Sequence, residues 1–218
     1  LPIPLSFVYL ILAIAGVGLN LLECQVGAGL IKALPALYLV ACAWVFTRTR
    51  FSFWIPLAAL FGAAGDFSLA SAERDWFMAG LVTFLIGHLA YCVAFARHLR
   101  WTRTRGVVIG LTLLGTLLLL GAVLVRFIHA GEYAIIVPVI VYVTVMGVMM
   151  VLGVLHDSTS RLIAAGGVVF IISDAHIAVN HMLLTEPVQA ITLTGYSTYY
   201  LAQYLLVSGA IHEARYTD

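Results

Sequence analysis

The sequence has little charge. Of its 218 residues, 11 are Lys or Arg and 10 are Asp or Glu, 10% of the chain in all, against roughly 25% in a typical soluble domain. With 63% hydrophobic residues and a mean hydropathy of +1.07, a water-soluble fold is excluded. The formal net charge of +1 offers no basic surface of the kind that nucleic acid demands, so no nucleic-acid partner is expected. Cysteine is scarce. Cys24, Cys42 and Cys92 are odd in number and two fall in apolar runs, so they read as small core residues and not as a disulfide framework. His88, Asp174, His176 and His181 have the chemistry of metal ligands but no HxxxH or HExxH spacing, and neither a metal nor a cofactor is expected. Lys32, the only lysine, lies near one end of its apolar run, which argues against a retinal-type pigment. The first run, Leu1 to Leu22, lacks a basic leader and a small-residue cleavage site and reads as a membrane span.

What the sequence does have is apolar length. A membrane-crossing helix needs roughly 20 apolar residues, and cutting the chain at its charged and turn-forming clusters gives eight segments: 2–22, 27–46, 53–71, 76–97, 106–126, 132–155, 161–182 and 190–212. The connections are short, so consecutive helices must run antiparallel. The expected fold is all-α, a polytopic bundle of eight transmembrane helices forming a single transmembrane domain over residues 1–218. Arg48, Arg50, Arg97, Arg100, Arg103, Arg105, Arg161 and Arg215 fall on the side of the two termini, against Arg74 and Arg126 on the other. Basic loops are retained in the cytoplasm, so both termini are expected there. Asp66-Phe-Ser-Leu-Ala in the third segment is echoed by Asp174-Ala-His-Ile-Ala in the seventh. A 4+4 parallel repeat is one reading of that echo, and chance is the other.

Removing the loops leaves few ionisable groups at depth: Lys32, Asp66, His88 and Asp174, with His176 and His181 nearer the outer end of segment seven. Each costs roughly 2.5–3.5 kcal/mol or more at a bilayer centre, so they should face the bundle interior. Threading the segments in alternating directions brings Tyr142, Tyr199, Tyr200 and Gln203 to similar depth. His88 and Tyr91, three apart, and Tyr199 and Gln203, four apart, each share a helix face. The tyrosines and Gln203 alone suit interhelical hydrogen bonding. Two carboxylates with a lysine and a histidine point instead to a functional site, whether an enzyme's, a proton-coupled carrier's or a lipid-binding bundle's. His98, His129, His156 and His212 lie in or beside loops, and the Arg97 to Arg105 cluster with Trp101 suits phospholipid headgroups.

The residues so isolated carry a resemblance. Lys32-Ala-Leu-Pro35-Ala-Leu-Tyr38-Leu, Gly65-Asp66-Phe-Ser-Leu, Gly80 to Phe84 with Gly87-His88-Leu-Ala-Tyr91, Phe170-Ile-Ile-Ser173-Asp174 and Tyr199-Tyr200-Leu-Ala202-Gln203 together resemble the YhhN family of membrane proteins, the lysoplasmalogenases. Two departures stand out: the family's Lys-Pro-Leu is Lys32-Ala-Leu here, and His176 replaces an apolar residue after Asp174. The resemblance implies a multi-pass protein of the bacterial inner membrane that hydrolyses the vinyl ether bond of a lysophospholipid, releasing a fatty aldehyde. Membrane lipid and a lysophospholipid are the implied partners. Such cleavage needs a proton donor for the β-carbon, a base for water and negative charge near the oxocarbenium centre. Asp66 and Asp174 are the expected acid/base pair, in either order, with His88 bonded to one of them or to the water. Tyr91, Tyr142, Tyr199, Tyr200 and Gln203 would orient substrate or carboxylates. Lys32 would meet the substrate phosphate or pair with Asp66.

Overall fold

The computed structural model describes residues 1–19, 28–47, 51–71, 74–158 and 160–216. Among these lie eight α-helices: α1 (Ile3–Leu19), α2 (Ala28–Phe46), α3 (Phe51–Ser68), α4 (Arg74–Phe95), α5 (Arg103–Ala130), α6 (Ile136–Leu155), α7 (Leu162–Ile177) and α8 (Gln189–Tyr216). A 3-10 turn, Tyr133–Ile135, leads into α6, and a π-helical turn, Ala178–Leu183, extends α7. No strand occurs among the described residues, so the expected all-α class is observed. Cys24, Arg48 and Arg50, used above for the cysteine reading and the orientation, lie outside the described residues.

Five of these stretches are long and apolar enough to cross a membrane: Gly29–Phe46, Asp75–Phe95, Arg103–Ala130, Tyr133–Leu155 and Leu162–Leu183. Helix α1 and the Phe53–Ser68 part of α3 are apolar but shorter. α8 has ample length, 28 residues, about 42 Å at 1.5 Å per residue. Its lower hydropathy follows from its position. It packs on α7, α2, α3 and α1, and buries Gln203, Ser208 and Glu213 with its apolar side chains. α5 is the opposite case: only Ile109, Val123 and Phe127 are buried over its 28 residues, while Leu111, Leu114, Leu117 and Leu118 are exposed. Polar groups inside and leucines outside invert the order of a soluble protein. That inversion, with the apolar helices, makes this an integral membrane protein.

Local sequence sets the ends of α5. Thr102 accepts a hydrogen bond from the Arg105 amide at 3.2 Å, and Gly131 adopts φ 74°, a left-handed conformation that ends the helix without a Cβ penalty. Close packing elsewhere depends on missing side chains. A Cβ at Gly166 of α7 would come within 2.9 Å of the Leu206 backbone amide of α8, and one at Gly209 within 2.9 Å of the Ile163 amide. These two glycines let α7 and α8 meet backbone to backbone, which fixes the register of the helices that carry Asp174 and Tyr199.

Candidate active site

Asp66 lies in the last turn of α3 and is 2% exposed. Burial of a carboxylate is tolerated only with partners, and its Oδ2 accepts a 3.0 Å hydrogen bond from the Tyr199 hydroxyl of α8. Behind Tyr199 stands a relay. Gln203 Nε2 donates to the Tyr199 oxygen at 3.2 Å, and the Tyr91 hydroxyl of α4 donates to Gln203 Oε1 at 2.7 Å. Gly62 makes room for it: a Cβ there would lie 2.6 Å from Gln203 Nε2 and 3.2 Å from the Tyr199 oxygen. The i, i+4 spacing of Tyr199 and Gln203 is thus used along one face of α8, as the sequence suggests.

Asp174, near the end of α7, has its own tyrosine. The Tyr142 hydroxyl of α6 donates to Asp174 Oδ2 at 2.5 Å, a short hydrogen bond. The tyrosines serving the two carboxylates come from α8 and α6, a pairing that a four-helix repeat does not generate. A row of rings connects the two sites: Tyr199 lies edge-on to Phe170 at 5.7 Å, Phe170 to His88 at 4.8 Å, and His88 to Tyr142 at 5.3 Å. Asp66 and Asp174 both line one cavity of about 570 Å³, together with Lys32, Ser71, His181 and Tyr196. Its walls are the start of α2, the end of α3, the starts of α4 and α8 and the end of α7. All of these belong to one end of the bundle.

Several expectations are adjusted by this geometry. His88 hydrogen-bonds neither carboxylate: it is 1% exposed, and neither ring nitrogen has a partner among the described residues. Sequence depth was right for His88, but its helix face points it between Phe170 and Tyr142. Lys32 forms no ion pair with Asp66. Its ammonium sits 5.1 Å above the Tyr196 ring, a cation–π contact at the cavity wall. Tyr200 turns away from the cavity and donates to the Lys32 carbonyl at 2.9 Å, while its own carbonyl accepts from the Tyr9 hydroxyl at 2.6 Å. Tyr200 thereby ties α8 to α2 close to Pro35, the proline inside that helix. Tyr91 and Gln203, both 1% exposed, stand behind the cavity and touch it only through Tyr199. Among the described residues no three His, Cys, Asp or Glu side chains gather as metal ligands would.

Residues outside the sequence reading also contribute. Asn180, in the π-helical turn, accepts from the Val188 amide at 2.6 Å and donates to Thr192 at 2.8 Å, tying the α7–α8 connection across the cavity mouth. At the other end of the molecule His156, read from sequence as a loop residue, is 2% exposed. Its Nε2 lies 2.9 Å from the Glu213 carboxylate, and its Nδ1 faces the carbonyls of Arg97 at 2.9 Å and Phe95 at 3.2 Å. This buried pair joins the ends of α4, α6 and α8. The signal for it was an acid one residue past the eighth apolar segment, where α8 in fact continues.

The architecture and this cavity define a class: an integral membrane helical bundle with two carboxylates, each bonded to a tyrosine hydroxyl, and a lysine on the wall of one cavity. The chain belongs to the YhhN family, whose pattern matches residues 27–210. That range covers every residue of the polar cavity and stops short of Glu213. Similar proteins include a lysoplasmalogenase of Mycobacterium tuberculosis, 28% identical over 183 residues, covering 82% of this chain and 68% of the relative. Lysoplasmalogenase TMEM86A of Homo sapiens is 29% identical over 192 residues, covering 84% and 77%, and that of Bos taurus is 27% identical over 204 residues, covering 84% and 78%. No solved structure matches the chain.

Proposed function

We propose that this chain is a lysoplasmalogenase, hydrolysing the vinyl ether bond of a lysophospholipid to a fatty aldehyde and a glycerophospho-choline or -ethanolamine. The observation that carries the reading is the pair of carboxylates on one cavity wall, each held by a tyrosine hydroxyl. The names of the family relatives agree with it. One carboxylic acid delivers its proton to the β-carbon of the vinyl ether, making an oxocarbenium centre next to the ether oxygen. The second, ionised carboxylate takes a proton from water as the water oxygen bonds to that centre. The hemiacetal then collapses: its hydroxyl proton goes to the first carboxylate, the second gives its proton to the glycerol oxygen as that C–O bond breaks, and the aldehyde leaves with both groups restored. One water is consumed. Tyr142 and Tyr199 each engage one oxygen of a carboxylate that lines the cavity.

Lys32 meets the substrate phosphate at the mouth, Tyr91 and Gln203 position Tyr199, and His88 supports the Tyr142 ring. All eight helices cross the bilayer, with the arginine-rich end and both termini on the cytoplasmic side of a bacterial inner membrane, so the polar cavity opens to the outer leaflet. The bias of arginines between the two ends supports this orientation. The test is incubation of purified protein with a vinyl-ether lysophospholipid and, separately, its acyl analogue. Aldehyde release from the first with no fatty acid from the second is the expected result. Ester cleavage alone would make the protein a lysophospholipase. Counterflow across vesicles without any product would make it a carrier.

A further inference from the structure

A second, larger cavity of about 760 Å³ lies between α5, α6 and α7 and includes the π-helical turn. It falls within the roughly 300–1,000 Å³ of small-molecule sites. Its wall is almost wholly aliphatic, with Leu111, Leu119, Val139, Met146 and Ile171 prominent. The polar side chains on it are largely turned to partners: Thr116 donates to the Thr112 carbonyl at 2.9 Å, His176 bonds the Ile172 carbonyl through Nδ1 at 2.7 Å, and the Tyr142 hydroxyl is used by Asp174. Such a space suits hydrocarbon and repels a headgroup. Along α5 it runs from Leu111 to Val123, about 18 Å at 1.5 Å per residue, the scale of a long hydrocarbon chain.

The two cavities lie side by side and share part of their walls. Asp174, His176, Ile177 and Ile191 line both. On one side of that shared wall is an aliphatic slot, on the other the chamber holding Lys32, and the Asp174 carboxylate belongs to the wall between. A single-chain phospholipid has the same division: one hydrocarbon chain, then the bond to glycerol, then an anionic headgroup. We infer that the α5–α6–α7 cavity binds the hydrocarbon chain of a single-chain lipid whose phosphate lies in the Lys32 chamber, which brings the first carbons of the chain to Asp174. α5 buries only Ile109, Val123 and Phe127, so in a bilayer most of this helix faces lipid and the chain enters sideways past it. On the reaction proposed above, from which this inference takes its substrate, Asp174 is then the carboxyl group nearest the vinyl carbons.

Gly115 of α5 lines the slot, and a Cβ built there meets nothing within 4 Å. Gly115→Phe therefore narrows the slot without a backbone clash. Gly110, on the same helix, is equally open but does not line the cavity, so Gly110→Phe is the control. Two readouts are needed. The first is photolabelling of the whole protein in vesicles by a non-hydrolysable alkyl-ether lysophospholipid bearing a diazirine on its chain. Label should map to α5, α6 and α7, drop in Gly115→Phe and persist in Gly110→Phe. Equal labelling of the same helices by a diacyl phospholipid probe would mean a groove for bulk lipid and would overturn the inference. The second is the chain-length profile of aldehyde release, in which Gly115→Phe should shift preference to shorter chains by roughly tenfold in relative kcat/KM, the scale of excluding two methylenes. An unchanged profile would also overturn it. Labelling without aldehyde release would retain the chain site and reject the hydrolase; aldehyde release with label mapping elsewhere would do the reverse.

Discussion

Replacing Tyr142 by Phe removes one oxygen atom and leaves the ring, which is 8% exposed and packs edge-on against His88. What is lost is the donor to Asp174 Oδ2 at 2.5 Å. Hydrogen bonds to charged groups contribute about 1.5–3 kcal/mol, and each 1.36 kcal/mol is tenfold in rate, so kcat for aldehyde release should fall roughly 10- to 150-fold if the hydroxyl holds Asp174 in its working orientation. Tyr91→Phe is the calibrating variant. Its hydroxyl reaches Asp66 only through Gln203 and Tyr199, and losing one neutral hydrogen bond of about 0.5–1.5 kcal/mol should cost about tenfold or less. The assay is initial-rate aldehyde release at saturating vinyl-ether lysophospholipid, with a thermal melt of each variant to establish folding. Tyr142→Phe within twofold of wild type, or Tyr91→Phe the more damaging of the two, would refute the assignment of Tyr142 to Asp174.

Three further outcomes follow from the same geometry. Gly62→Ala puts a methyl 2.6 Å from Gln203 Nε2, so it should lower kcat more than KM while Gly110→Ala, on an open helix face, leaves both unchanged; equal rates for the two would remove the relay from the account. Lys32→Met should raise KM with little change in kcat, the signature of lost ground-state binding to phosphate; a fall confined to kcat would place Lys32 in the chemistry instead. Glu213→Gln alters a buried pair with His156, whose Nε2 lies 2.9 Å from the Glu213 carboxylate, and leaving a buried polar group unsatisfied typically costs about 1–3 kcal/mol. Its melting temperature should drop while activity per folded molecule persists, and a melting temperature equal to wild type would deny the pair its structural role.

Much of this was legible in the chain, and the reasons are physical. Apolar runs in lipid must satisfy their backbones internally, so each of the eight segments forms a helix over its described residues. The end of α5 lies beyond the fifth segment because Arg126 and His129 look like loop residues, whereas Gly131 sets the stop. Asp66, Asp174 and Lys32 stood out because so few charges interrupt the apolar runs, and all three do line one cavity. Their partners were less legible. Tyr199 meets Asp66 from 133 residues away, and only tertiary packing decides that Tyr199 reaches the carboxylate while its neighbour Tyr200 reaches a backbone carbonyl. His88 shows the limit of depth arguments, which fix height in the bundle but not which way a side chain faces. The His156–Glu213 pair was missed because each residue sits at a helix end, where a charge ordinarily reads as solvated.

The central claim is that two buried carboxylates, and no other groups of this chain, carry acid and base chemistry on a vinyl ether. The most direct measurement is aldehyde release by purified Asp66→Asn and Asp174→Asn proteins beside wild type, each confirmed folded by its thermal melt. General acid–base catalysis is typically worth 10²–10⁴-fold, so each variant should retain less than about a hundredth of the wild-type rate. If both variants keep more than about a tenth of it, the carboxylate pair is not the catalytic machinery.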